Sequence, residues 1–377
     1  MQYKTFGKTG IPMSALGFGA MRLPMAGEKV DYDKSTPMIH KAFEAGVNYI
    51  DTGKFYCDGD SENAVGKALK GWRDKVYLST KCPGDDMRAG KLRERLEFSL
   101  KTMDVDYIDF YHLWGISLES FREYMDVKGG PVEAAQKAMD EGLIKHLSFS
   151  YHDSAENIYP IIDTGYFSSV LIQYNLLDRS NEAGIAYAAE KGLGVVIMGP
   201  VGGGRLGAPS SALKGMLDKD FQSTAEMALR FVMANPNVHV ALSGMSTMEQ
   251  VLENIKVASI GGNLTEGEVS TINRMNEENK KLAELYCTGC KYCLPCPKDV
   301  NIPKVFELMN YHKIYGLTDF AKKEYAALDI PLDDRSGWAK GNGYNFKNCV
   351  QCGACEPKCP QKLKIIEQMK ETDAALR

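Results

Sequence analysis

Val47-Asn48-Tyr49-Ile50-Asp51 and Val76-Tyr77-Leu78-Ser79-Thr80 are two short apolar runs, rich in β-branched and aromatic residues, separated by a longer amphipathic stretch. Such a pattern reads as strand, helix, strand, and a crossover of that kind joins parallel neighbours. Outward from this unit the pattern recurs in Ala15 to Phe18, Tyr107 to Leu113, Ile144 to Ser150, Val170 to Tyr174, Val195 to Met198 and Val238 to Ser243. The intervening segments carry helical spacing, as in Met38, Ala42 and Ala45 or Met227, Ala228, Phe231 and Val232. Eight such units over about 250 residues predict an α/β fold, a (β/α)8 TIM barrel rather than an open sheet. Tyr3 to Phe6 against Pro12 and Met13, across Gly7 to Gly10, reads as a hairpin plugging the barrel bottom. A last helix opens at the capping box Thr265 to Glu268 and runs toward Lys281, which divides the chain into a barrel, 1–282, and a second domain, 283–377.

The second domain is announced by cysteine. Eight of ten cysteines fall in two compact runs, Cys287, Cys290, Cys293, Cys296-Pro297 and Cys349, Cys352, Cys355, Cys359-Pro360. Three thiolates of a CxxCxxC loop wrap one cubane, and the proline-followed cysteine of the other run supplies the fourth ligand. The spacing predicts two [4Fe-4S] clusters: one on Cys287, Cys290, Cys293 and Cys359, the other on Cys349, Cys352, Cys355 and Cys296. The first run is one residue short before its last cysteine. Zinc sites usually pair two CxxC units without the third cysteine, and disulfides need an oxidising compartment. The segment between the runs carries two helical stretches, Pro303 to Tyr311 and Thr318 to Ala327, giving a small, mainly α-helical, ferredoxin-like domain.

Composition narrows the classes. Of 377 residues, 44% are hydrophobic and 25% charged, ordinary for a globular protein. A net charge of −4 and pI near 6.0 supply no basic face for nucleic acid. Met1 to Gly10 is polar where a signal peptide is apolar, and no apolar stretch reaches the roughly 18 residues a membrane helix needs, so a cytoplasmic location is expected.

In a TIM barrel the chemistry sits where strands end. Asp51-Thr52-Gly53-Lys54-Phe55-Tyr56, Ser79-Thr80-Lys81, Tyr111-His112-Leu113-Trp114 and Gln173-Tyr174-Asn175 occupy four such ends. A free tyrosine titrates near ~10, and a neighbouring ammonium stabilises its phenolate. Lys81 beside Tyr56, with Asp51 holding the lysine, makes a general acid for a carbonyl oxygen. Taken singly, Asp51 is a helix cap, Lys81 a solvated loop residue and Tyr56 packing; three at successive strand ends favour a site. Cys57, Cys82 and Lys54 lie beside them, the two cysteines reading as small buried hydrophobes.

The chain resembles the aldo-keto reductase superfamily, in its branch with a C-terminal ferredoxin-like extension. The matching stretches are Leu16 to Pro24, Asp51 to Tyr56 with Ser61-Glu62, Ser79 to Lys81, Tyr174 to Leu177 with Arg179, Met198 to Leu206, Ser243-Gly244 with Glu253-Asn254, and Cys287 to Cys290. The resemblance implies catalytic roles for Asp51, Tyr56 and Lys81. It also implies a nicotinamide site at Ser150, Gln173 and Tyr174, the last as stacking platform, with Met21 as a further cofactor-binding residue. The pyrophosphate is then expected on Gly199, Gly203, Gly204, Ser243, Gly244, Ser246, Gln250 and Asn254. The family's fourth catalytic residue, a histidine, falls where this chain has Trp114. His112 shares that strand face about 6.6 Å deeper, and reads either as a displaced catalytic group or as a core histidine.

Lys and Arg are absent from Ser243 to Ile255, which favours NAD(H) over NADP(H); Arg205, Lys256 and Arg274 are the alternatives. A nicotinamide moves two electrons as hydride and a cubane moves one, so a ferredoxin or flavoprotein partner is expected beside a small-molecule substrate. Gly115 to Gly130, with Phe121 and Tyr124, suits a sugar or an aromatic ring. Two functions follow: a nicotinamide-dependent oxidoreductase with electron-transfer clusters, or an iron-sulfur electron-transfer or scaffold protein whose barrel has lost carbonyl chemistry.

Overall fold

The computed structural model describes residues 1–176, 178–202, 221–260, 264–270, 272–273, 277, 293–313, 316–331, 342–359 and 362–377. They belong to two compact units, one of Met1–Gly204 and Ala225–Leu264, the other of Arg205–Thr224 and Thr265–Arg377.

In the first unit, β1 (Tyr3–Thr5) and β2 (Pro12–Ser14) form an antiparallel hairpin, pairing Tyr3 with Ser14. β3 (Leu16–Gly19) starts the barrel; the short hairpin of β4 (Met25–Ala26) and β5 (Lys29–Val30) follows. The remaining barrel strands are β6 (Tyr49–Asp51), β7 (Tyr77–Cys82), β8 (Ile108–Ile116), β9 (Ile144–Tyr151), β10 (Ser169–Gln173), β11 (Gly194–Met198) and β12 (Val240–Gly244). Each pairs in parallel with the next, and β12 closes on β3 with Ser243 opposite Phe18. Each predicted run overlaps one of these strands, and most of the strands extend a residue or more beyond the run.

The helices between strands bury one face. Tyr32–Glu44 turns Met38, Ile39, Ala42 and Phe43 inward, and its N-cap Asp31 accepts from the Lys34 amide at 3.2 Å. Inside the barrel, Phe6 and Met13 of the hairpin pack without exposure against Tyr49, Phe110, Leu171, Val196 and Val240. Gly194 makes room for this plug: a Cβ there would stand 2.4 Å from the Phe6 ring. The bottom is therefore filled with apolar atoms, and polar residues gather at the strands' C-terminal ends.

In the second unit, helices Ile302–Lys313, Thr318–Ala326 and Ile365–Leu376 share a core of Val305, Phe306, Leu308, Ala321, Tyr325, Ile365 and Met369. The Tyr325 hydroxyl donates to Asp373 at 2.8 Å, tying the second helix to the last. The capping box forms: the Glu268 amide donates to Thr265 Oγ1 at 3.2 Å and the Thr265 amide to Glu268 Oε2 at 2.7 Å. Most of the helix predicted to follow it lies outside the described residues.

Candidate active site

β6 and β7 bring Asp51 and Lys81 side by side, both buried. The Lys81 ammonium donates to the two carboxylate oxygens at 2.7 and 2.6 Å and to the Thr52 carbonyl at 2.7 Å; Ser79 Oγ donates to Asp51 at 2.8 Å. Burial pushes the lysine's pKa down, but Asp51 and Tyr56 outweigh it, so Lys81 stays protonated above its usual range.

Lys81 Nζ also sits 4.7 Å from the centre of the Tyr56 ring. Two opposing effects act on that phenol: burial raises its pKa, while the charge and hydrogen bond of Lys81 lower it. Burial prevails, and the net direction is upward from 10.0. Lys81 lowers the phenol's pKa but does not offset its burial, so the hydroxyl keeps its proton. Immediately after Tyr56, Cys57 and Asp58 adopt left-handed φ values of 52° and 53°, conformations that non-glycine residues visit at a cost. The turn is pinned by Ser61, whose Oγ donates to the Ala20 carbonyl at 2.8 Å, and by the Cys57 thiol, 3.5 Å from the same carbonyl.

Trp114 completes an aromatic wall: its ring lies 5.6 Å from Tyr56, edge to face, and 5.9 Å from Phe55, with Lys81 Nζ 5.7 Å from its centre. The position expected from the resemblance to hold histidine thus belongs to this cluster, occupied by an indole. His112 lies deeper and wholly buried, and neither ring nitrogen makes a hydrogen bond of good geometry. Burial, then the charge of Lys81, depress its pKa to about 3, so the imidazole is neutral. The other neighbours are engaged elsewhere. Lys54 pairs with Asp86 at 2.7 Å, and burial pushes the Cys82 thiol up to about 12.

Among the described residues, most of those expected around a dinucleotide fall into two groups. Ser243 accepts from Asn254 at 3.0 Å; the Ser246 amide donates to Gln250 at 2.7 Å, and Ser246 Oγ to the Arg22 carbonyl at 2.7 Å. These gather with Met21 and Gly244 where β12 meets β3. A second group lies at β9 to β11. Ser150 Oγ accepts from the Gly115 amide at 2.8 Å, and Gly199, at φ 63°, leaves room for the Gln173 side chain, which a Cβ would approach to 2.7 Å. Gly203 and Gly204 fall outside the described residues.

Tyr174 departs from expectation. Its ring is buried, stacked on Phe231 at 5.3 Å, and its hydroxyl donates to Glu182 at 2.9 Å. Successive strand residues point to opposite faces, so Tyr174, next to the inward Gln173, meets the helix layer and is no platform for a ring inside the barrel. Sequence reading also passed over Arg22. Its side chain lies along Gly244, 3.4 Å from where a Cβ would be, which puts a cation beside the segment that carries no Lys or Arg of its own. The absence of Lys and Arg from Ser243 to Ile255 therefore does not leave that segment without a neighbouring cation.

In the second unit, Cys296, Cys349, Cys352 and Cys355 line one small cavity with Val300, Ile302, Ile366 and Met369. They stand around its wall; among the described residues no three metal-ligating side chains converge on a single-ion site. Four thiols about an apolar cavity fit the second predicted cubane. Cys293 borders the same cavity and Cys359 packs on the same core, while Cys287 and Cys290 lie outside the described residues.

The 4Fe-4S dicluster domain pattern matches residues 286–364. L-galactose dehydrogenase of Arabidopsis thaliana is 27% identical over 281 residues, 68% of this chain and 87% of that protein. An aldo-keto reductase structure from Bacillus halodurans, in its holo form, superposes with a TM-score of 0.62 at 28% identity, covering 73% of this chain and 96% of its own. An aldo/keto reductase structure from Klebsiella pneumoniae, solved with NADP and acetate, shares the fold with a TM-score of 0.61 at 23% identity, covering 73% and 96%. The aldo/keto reductase family pattern matches residues 15–277, and the chain belongs to that family as an oxidoreductase with a C-terminal 4Fe-4S dicluster domain.

Proposed function

We propose that the barrel interconverts a carbonyl and a hydroxyl group with a bound nicotinamide coenzyme, and that the two clusters carry single electrons to or from an external protein. The carrying observation is the Asp51, Lys81 and Tyr56 cluster at neighbouring strand ends. Tyr56 keeps its proton at neutral pH and gives it to the carbonyl oxygen; Lys81 stabilises the phenolate left behind; Asp51 holds the lysine charged and aimed. When bound, the coenzyme supplies the hydride. His112, neutral and buried, takes no proton in this scheme. The division near 282/283 falls between the two matched regions, barrel chemistry before it and clusters after it.

Both the Arabidopsis relative, named for L-galactose, and the aromatic wall of Phe55 and Trp114 support a sugar or aromatic substrate. Because Arg22 stands beside Gly244 and the Klebsiella protein binds NADP, the coenzyme is read as a nicotinamide dinucleotide without the preference for NADH. Fluorescence titration of the holo-protein tests this. NADPH should bind at least as tightly as NADH, and Arg22→Ala should weaken NADPH roughly ten-fold while sparing NADH, the loss expected for one charge-assisted phosphate contact. Binding of neither coenzyme contradicts the reading. Trp114 in the histidine position favours one rival, an electron-transfer scaffold with a silent barrel.

A further inference from the structure

We propose that the exposed edge of the second cluster site is the docking face for a small acidic ferredoxin, which exchanges one electron with the protein there. The inference rests on the electron-transfer reading above. The cavity framed by Cys296, Cys349, Cys352 and Cys355 is not enclosed: Cys352 reaches the surface and Val350, between the first two cysteines of its run, is 59% exposed. An exposed valine in a ligand loop offers an apolar contact over the group that would hand on the electron. Exposed lysines stand around it. Lys298 borders the cavity, and the Asn348 side chain donates to the Lys298 carbonyl at 3.3 Å, which brings Lys347 to the same rim. Lys370 follows Met369, a cavity residue. All three lysines are exposed, and no carboxylate lines the cavity among the described residues. Of the neighbouring carboxylates, Glu356 accepts from the Ile366 amide at 3.1 Å and Glu367 pairs with Lys364 at 3.4 Å.

A basic rim around an apolar spot in a chain of net charge −4 selects an acidic partner locally while the rest of the surface repels it. One-electron chemistry selects the carrier: a cubane and a ferredoxin each exchange a single electron, and no bond forms or breaks. The reduced ferredoxin loses one electron and the protein's cluster gains it, or the reverse.

The test uses anaerobic holo-protein with an acidic plant-type [2Fe-2S] ferredoxin. Calorimetric Kd should rise steeply with salt, and carbodiimide, which joins carboxylates to amines, should cross-link ferredoxin to Lys298, Lys347 or Lys370. Lys298→Glu with Lys347→Glu and Lys370→Glu should weaken binding about ten-fold or more at low salt and flatten the salt dependence. If that triple variant loses its visible cluster absorbance, the single Lys→Gln variants replace it, each expected to weaken binding a few-fold. Unchanged Kd, cross-links elsewhere, or displacement of the ferredoxin by a flavodoxin would overturn the proposal. Dithionite reduction separates the two levels. Clusters that take no electron from dithionite sink the electron-transfer reading, whereas reducible clusters with lysine-independent binding sink only this inference.

Discussion

Burial and the Lys81 charge pull the Tyr56 phenol in opposite directions, and burial wins. The sign follows. A phenol whose pKa is raised keeps its proton through neutral pH, so turnover in the reducing direction should stay level there and fall only above about pH 10. Lys81→Met removes the lowering influence and should shift that alkaline limb further up, with turnover reduced about 100-fold or more. The substitution leaves Asp51 as an unpaired buried charge, so Asp51→Asn with Lys81→Met is the variant that keeps the fold. Steady-state pH profiles decide it: a limb that stays put would mean Lys81 does not act on Tyr56. Asp51, Tyr56 and Lys81 were legible because each follows an apolar run closely. Arg22 was not, because its partner Ser246 lies 224 residues away, across the closure of β12 on β3. Tyr174 misled because a family position gives no strand face; alternation from Gln173 does.

The hairpin plug shows how elements fix the site's depth. Phe6 fills the barrel bottom against Phe110, ring centroids 5.1 Å apart, so the polar cluster can form only above it. Gly194→Ala would drive a methyl into the Phe6 ring. The expected cost is roughly 1–3 kcal/mol in urea unfolding. Much of it should be recovered in the double variant with Phe6→Leu, a coupling read by a double-mutant cycle. Additive losses would contradict the close packing. Hydrophobic runs foretold the strands because burial on both faces leaves near-continuous apolar sequence. The end of β8 escaped that logic. The strand continues to Ile116 with a register shift against β9 after Leu113, at Trp114 and Gly115, the latter at φ 70°. An irregularity of this kind re-aims side chains beside active sites and leaves no periodic trace in sequence.

At the scale of the molecule, two chemistries occupy separate stretches of one chain. The cysteine spacing was legible because ligand count and reach dictate it, whereas the lysine rim was not, since Asn348, next to Lys347, reaches the Lys298 carbonyl only through the fold. Pure holo-protein should contain about eight irons and eight acid-labile sulfides per chain. Cys352→Ser should lower both toward about four, with nicotinamide binding retained; zinc in place of iron would refute the cluster assignment. The central claim is that the barrel is chemically alive, and Tyr56→Phe tests it most directly. The change removes only the ionisable oxygen, so turnover with the wild-type's own substrate and coenzyme should fall roughly 10²- to 10⁴-fold while coenzyme binding, titrated in the same preparation, stays within about two-fold. Full activity in Tyr56→Phe would contradict the account and leave the cluster-bearing scaffold as the better description.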